Sequence, residues 1–198
     1  MRRQMASNPT IRYRRNLSLP TLIASLALGA SGCQSSDSPD APNADGCNGG
    51  FVSASLHGAI SAAVDWRGAG LTCEGMPRPD DDGARLRFAG SLTDAGGERR
   101  VAIIFGIAGL TRGETGRELP TNVTLIEEGA GRFFGTPDQA GCWTDLDYQD
   151  ALRDGPGGRY AIGGTVYCVS PLAELNGGSS ISSTELEFSG VIGWGPRE

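Results

Sequence analysis

Residues 85 to 107 read RLRFAGSLTDAGGERRVAIIFGI, and their apolar side chains fall on alternate positions. Leu86, Phe88, Gly90 and Leu92 share one parity, with Arg85, Arg87 and Ser91 on the other. Val101, Ile103, Phe105 and Ile107 repeat the pattern, and Ile104 makes that second run the most buried-looking of the chain. A period of two places one row of side chains on each face of a strand, so both runs read as β-strands with one face turned to a core. Working outward, Leu56, Gly58, Ile60, Ala62, Val64 and Trp66 alternate in the same way against His57, Ser61 and Asp65, giving a strand candidate over 52–66. Further candidates span Asn122–Glu127, Gly131–Phe134, Cys142–Gln149, Arg159–Val169 and Ser183–Trp194, eight in all. The one helical suggestion is a short turn over Ser170–Leu175, opened by Ser170-Pro171 and closed by Asn176-Gly177-Gly178.

Eight strands separated by Gly, Pro and Asp predict an all-β fold, an antiparallel β-sandwich, with a closed up-and-down β-barrel as the alternative. The barrel stays open because Gly58, Gly90, Gly164 and Gly190 fall within strands, where a sheet bends or another backbone comes close. Leu56-His57-Gly58-Ala59-Ile60 and Phe188-Ser189-Gly190-Val191-Ile192 share a spacing that pairing of the first and last strands would produce. A chain of 198 residues has room for one ordinary domain, and 31 glycines with 11 prolines weigh against a helical bundle.

Charge is unevenly distributed. All 17 basic residues are arginine, and five of them lie in the first 32 residues, which contain no acid. The other 12 arginines therefore face all 23 Asp and Glu, a balance of -11 beyond residue 32. Phosphate binding needs cationic side chains, so this body is expected to have no nucleic-acid partner. The basic front is followed by a mostly apolar run, Leu17–Gly32, of 16 residues with Ser18, Pro20, Thr21 and Ser25 inside it. That falls short of the roughly 20 apolar residues of a membrane-spanning helix and suits a cleaved export signal.

The run ends in Ala30-Ser31-Gly32-Cys33, small residues directly before a cysteine, which resembles the lipobox of bacterial lipoprotein precursors. The resemblance covers residues 1–33 only. It implies removal of residues 1–32 and lipidation of Cys33, a diacylglyceryl thioether on its sulfur and often an acyl group on its new amine. Two or three acyl chains hold a protein on a bilayer where one binds only marginally. Gln34 in place of Asp after the cysteine is similar to enterobacterial lipoproteins sorted to the outer membrane. Arg14-Arg15-Asn16-Leu17 resembles the core of a twin-arginine signal, so the export route stays open. Residues 33–46 then form a tether: Gln34–Gly46 lacks aromatic and branched apolar residues and cannot offset its ordering entropy. Its reach is about 20 Å for a flexible chain of this length. Residues 47–198 make up the single β domain.

Four cysteines remain once Cys33 is set aside: Cys47, Cys73, Cys142 and Cys168. An even number in an exported chain predicts disulfides. A hairpin of Cys142–Gln149 with Arg159–Val169 around Gly155-Pro156-Gly157 places Cys142 opposite Cys168, which leaves Cys47 with Cys73. The second pair requires the 52–66 strand to break near Gly58, because a straight strand would carry its ends more than about 40 Å apart.

The same register puts Trp143 opposite Tyr167, Asp145 opposite Thr165 and Asp147 opposite Gly163 on the other face. An aromatic pair beside carboxylates suits a protein or glycan partner, and it is the candidate binding face. No catalytic residues stand out. His57 is the only histidine and has no nucleophile patterned beside it. Asp80-Asp81-Asp82-Gly83 lacks the alternating ligands of a calcium loop and reads as a turn, and the cysteine spacing does not resemble a zinc site. No metal or cofactor is expected. The sequence reads as a lipid-anchored envelope protein with a structural or interaction role. The alternative is a ligand-binding module that takes a glycan on the aromatic face or an apolar molecule inside a barrel.

Overall fold

The computed structural model describes residues 47–79, 82–137, 141–153 and 158–195; the leader, Cys33 and the tether lie outside these. Twelve strands follow in chain order: β1 (Phe51–Gly58), β2 (Ala62–Arg67), β3 (Thr72–Pro77), β4 (Ala84–Asp94), β5 (Gly97–Ile107) and β6 (Gly116–Glu128). After them come β7 (Arg132–Gly135), β8 (Cys142–Ala151), β9 (Arg159–Cys168), β10 (Leu172–Glu174), β11 (Ser180–Ser183) and β12 (Leu186–Gly193). The pairings are antiparallel, as the alternating pattern requires of sheets with one face buried.

The expected 52–66 strand is a hairpin. Gly58 sits at φ +108°, and Ser61 Oγ accepts from the Gly58 N–H and donates to the Gly58 carbonyl at 3.3 Å each. The turn carries the even parity across unchanged: Leu56, Ile60 and Val64 are all buried, so alternation alone cannot reveal it. Doubling back brings the chain to β3 and allows the Cys47–Cys73 bond, with Cα atoms 5.2 Å apart. The helical turn expected at Ser170–Leu175 is instead β10. Leu172 is buried opposite Ile181, and Asn176 at φ +60° reverses the chain towards β11.

Hydrogen-bonded neighbours run β6-β7-β10-β11-β1-β12-β9-β8 and return to β6, so eight strands close a circuit. β3, β4 and β5 extend from β6, and β2 hangs on β1. The order is not up-and-down, since β7 lies beside β10 and β1 beside both β11 and β12. First and last strands do pair, through Phe51–Ser53 against Glu187–Ser189, while Leu56–Gly58 faces β11. Two faces then close on one another as in a sandwich. Phe88 of β4 and Phe105 of β5 meet Phe188 of β12, a strand that shares no ladder with β4 or β5, with ring centroids 5.3 to 5.8 Å apart. All three rings are fully buried within one contiguous apolar cluster.

Glycines within strands make this closure tight. A Cβ on Gly90 would lie 2.6 Å from the Trp66 ring, and one on Gly190 would lie 2.8 Å from the Phe88 ring. Trp66 thus caps β4, with its indole N–H donating to the Ser91 carbonyl at 2.8 Å. Gly190→Val should lower unfolding stability by about 1–3 kcal/mol through overpacking against Phe88. Urea denaturation checks it, and an unchanged midpoint would place the sheets farther apart than described.

Candidate functional site

The β8–β9 hairpin positions the predicted residues. Cys142 and Cys168 face each other and are bonded, with Cα atoms 4.1 Å apart. Each disulfide spans 26 residues and contributes about 3 to 4 kcal/mol in the chain-entropy model. Cys142, Thr144 and Leu146 point to the core, so Trp143 and Asp145 take the outer face. Trp143 stands opposite Tyr167 and Asp145 opposite Thr165, as the hairpin register predicts. Asp147 does not stand opposite Gly163. The register shifts between Leu146 and Tyr148, Tyr148 takes that place, and Asp147 becomes the extra residue of a bulge. The shift has a packing cause. It lays the Tyr148 ring where a Gly163 side chain would stand, with the hydroxyl 2.6 Å from Ser189 Oγ. It also turns Gln149 inward, where the amide donates to the Thr111 and Glu114 carbonyls at 3.0 and 2.7 Å.

The Trp143 and Tyr167 rings stack with centroids 5.9 Å apart and planes inclined by 26°. Both are half-buried, and neither the indole N–H nor the phenol hydroxyl has a hydrogen-bond partner among the described residues. The first part of β6 completes the surface. Pro120 lies opposite Trp143, and an irregularity between Gly116 and Leu119 throws Arg117 and Glu118 outward, Glu118 at φ +52°. The Arg117 guanidinium bridges both carboxylates, at 3.2 Å from Asp145 Oδ2 and 3.1 Å from Asp147 Oδ1. The Glu118 backbone N–H donates to Asp145 Oδ1 at 2.8 Å. Burial pushes the Tyr167 phenol pKa up, the Asp145 and Glu118 charges add to this, and Arg117 opposes it.

Arg117, Glu118 and Pro120 were outside the sequence-derived strand at Asn122–Glu127. Alternation is lost across residues 116–120, and their role depends on β6 pairing with β8. His57 is exposed at the end of β1, and Asp82 accepts from the Gly109 N–H at 3.2 Å. Asp80, Asp81 and Cys33 lie outside the described residues. Among the described residues no group of three or more His, Cys, Asp or Glu is placed to hold a metal ion.

A second feature lies farther along β6. Phe133 and Leu175 are exposed at 42% and 68%, and with Thr124, Pro137 and Ala173 they line an apolar groove of about 380 Å³. Beside it runs a chain of charges. Arg99 bridges Asp94 and Glu127 at 2.9 and 2.8 Å, and Arg132 bridges Glu127 and Glu174 at 3.3 and 2.7 Å. Glu174 also accepts from the Ser179 hydroxyl. The hydrogen bond from Arg132, then that from Ser179, lowers the Glu174 pKa to about 2 against partial desolvation. The chain matches no protein-family model, and no curated protein or solved structure matches it.

Two outcomes follow from this geometry. Because the Glu174 pKa is depressed on folding, its contribution is full above about pH 4.5 and is lost as pH falls towards about 2. Glu174→Gln should therefore lower stability at pH 7 and match the parent near pH 2 in parallel urea titrations; an equal deficit at both pH values would exclude the linkage. Trp143→Ala, removing a half-buried cross-strand partner, should cost about 1 kcal/mol or less, against about 3–5 kcal/mol for Phe188→Ala. Comparable losses would assign Trp143 to the core.

Proposed function

We propose that this is a lipid-anchored cell-envelope protein with a structural or interaction role rather than a catalytic one, working through the outer face of β8 and β9. The observation that carries the reading is the stacked, half-buried Trp143–Tyr167 pair, whose two polar edges lack hydrogen-bond partners among the described residues and lie beside the carboxylates of Asp145 and Glu118. Aromatic side chains with free polar edges are typical anchors of binding surfaces. The Ala30–Cys33 resemblance supports anchoring through lipid on Cys33, and Gln34 favours the outer over the inner membrane. Two disulfides favour an oxidising compartment and so agree with export. The tether lets the domain stand off the bilayer, where its acidic surface avoids anionic headgroups.

A glycan-binding role on the same face is the second reading. The unpaired indole N–H and phenol hydroxyl favour it, since a sugar offers both acceptors and donors. An apolar ligand inside the sheets has less support, because Phe88, Phe105, Phe134 and Phe188 fill that space.

Intact mass of the membrane-extracted protein tests the anchoring. The expected mass begins at Cys33, includes acyl chains, and gains four alkyl groups only when alkylation follows reduction. A chain that keeps its first 32 residues and alkylates at five cysteines without reduction would overturn the proposal.

A further inference from the structure

We infer that the outer face of β6, β8 and β9 receives an extended, cationic polypeptide segment, its basic side chain over Trp143 and Tyr167 and an apolar side chain in the Phe133–Leu175 groove. This rests on the interaction reading above and adds the chemistry of the partner.

Charge carries the first step. Among the described residues Arg117 is the one cation paired with Asp145 and Asp147, and with Glu118 beside them the cluster has an excess of two negative charges. Arg117 neutralises Asp145 and Asp147 in part, whereas the exposed Glu118 carboxylate has no hydrogen bond or ion pair among the described residues. An anionic ligand is repelled here, and a neutral sugar leaves the excess unused. A guanidinium or ammonium group meets it and gains the negative faces of two aromatic rings besides. At the phenol of Tyr167, whose pKa burial raises first, the Asp145 and Glu118 charges push further in the same direction against Arg117. At longer range the balance of -11 beyond residue 32 speeds encounter with basic partners.

Shape carries the second step. Thr121, Val123, Leu125 and Glu127 of β6 are buried, so Pro120, Asn122, Thr124 and Ile126 form a row on its outer face. One end of the row adjoins Trp143, opposite Pro120. The other adjoins Phe133, opposite Ile126, and the apolar groove. Six residue steps, from Pro120 to Ile126, make the row about 20 Å long. A small ligand cannot touch both ends, while an extended segment of about six residues can, with its cation and its apolar residue set that far apart.

Titration calorimetry of the full domain at physiological salt tests this. The probe is Ac-Arg-Gly-Arg-Gly-Thr-Gly-Leu-Gly-Leu-NH2, with a second peptide carrying Gln for both Arg as its neutral counterpart. The cationic peptide should bind. Trp143→Ala and Glu118→Gln should each weaken it about fivefold or more, and the Gln peptide should bind no better than those variants. Phe133→Ser should weaken the probe but not a version with Gly for both Leu. Glu118 is exposed, so its variant keeps the test valid even if Trp143→Ala folds poorly. Binding indifferent to Trp143 and Glu118 would reduce the effect to diffuse charge attraction and overturn the inference, as would no binding. A neutral chito- or cello-oligosaccharide that binds in a Trp143-dependent way while the peptide does not would also overturn it, yet leave the interaction reading standing. Failure of the anchoring itself shows separately, in the intact mass.

Discussion

Phe188 packing on Phe88 and Phe105 joins two parts of the sheet that exchange no backbone hydrogen bonds, and the rest of the architecture depends on that contact. Ladders close the circuit from β6 round to β8 but leave the β3–β5 extension free to open away from β12. Three buried rings, each worth about 1.5–3 kcal/mol in burial, hold the faces shut. Phe88 and Phe188 are distant in the chain, so this contact forms only when the N-terminal and C-terminal halves have met. The disulfides do not substitute for it. Both close short spans, one tying the entry of β1 to β3 and the other bonding neighbouring strands. They shrink the unfolded ensemble locally, whereas the rings and the β1–β12 pairing set the global closure.

The shared strand β6 turns that closure into a surface. Its C-terminal half pairs β7 and its N-terminal part pairs β8, so the consecutive β6–β7 and β8–β9 hairpins meet along one row of outward side chains. Irregularities in both partners then place charge there. The bulge at Asp147 and the outward turn at Arg117–Glu118 lie across from one another, and the guanidinium of Arg117 spans the gap. Without either irregularity the carboxylates and the guanidinium would point along separate strands.

Much of this is legible in the sequence wherever a local rule governs it. Period-two alternation locates β4, β5, β8 and β9, and hairpin counting pairs Cys142 with Cys168 and Trp143 with Tyr167. The constraint of the Cys47–Cys73 loop even forces the break at Gly58. What escapes the sequence is set by contacts made at long range. β3 lacks an apolar row because it packs by its backbone, with Gly75 close to the Val191 carbonyl. Glu174 reads as part of a helical turn until Arg132 and Ser179 are seen to hold it in a strand. Asp147 keeps its place in a simple count, since nothing local reveals that Tyr148 prefers the space above Gly163.

The two charge clusters illustrate how burial divides similar residues between structure and recognition. Glu127 and Glu174 are largely buried, and each is matched by guanidinium groups, a requirement when charge leaves water. Carboxylates engaged in this way have little left to offer a ligand. Glu118 carries the same group, yet β6 turns it to solvent with no guanidinium paired to it among the described residues. Its neighbours Asp145 and Asp147 share one Arg117 that is itself 67% exposed. Water screens these charges in the free protein and lets them persist unpaired at little cost. Once an approaching segment excludes that water, the same carboxylates interact far more strongly with whatever charge it brings. The unmatched cluster, not the matched one, is therefore the part of this surface where a partner's charge changes the energy most.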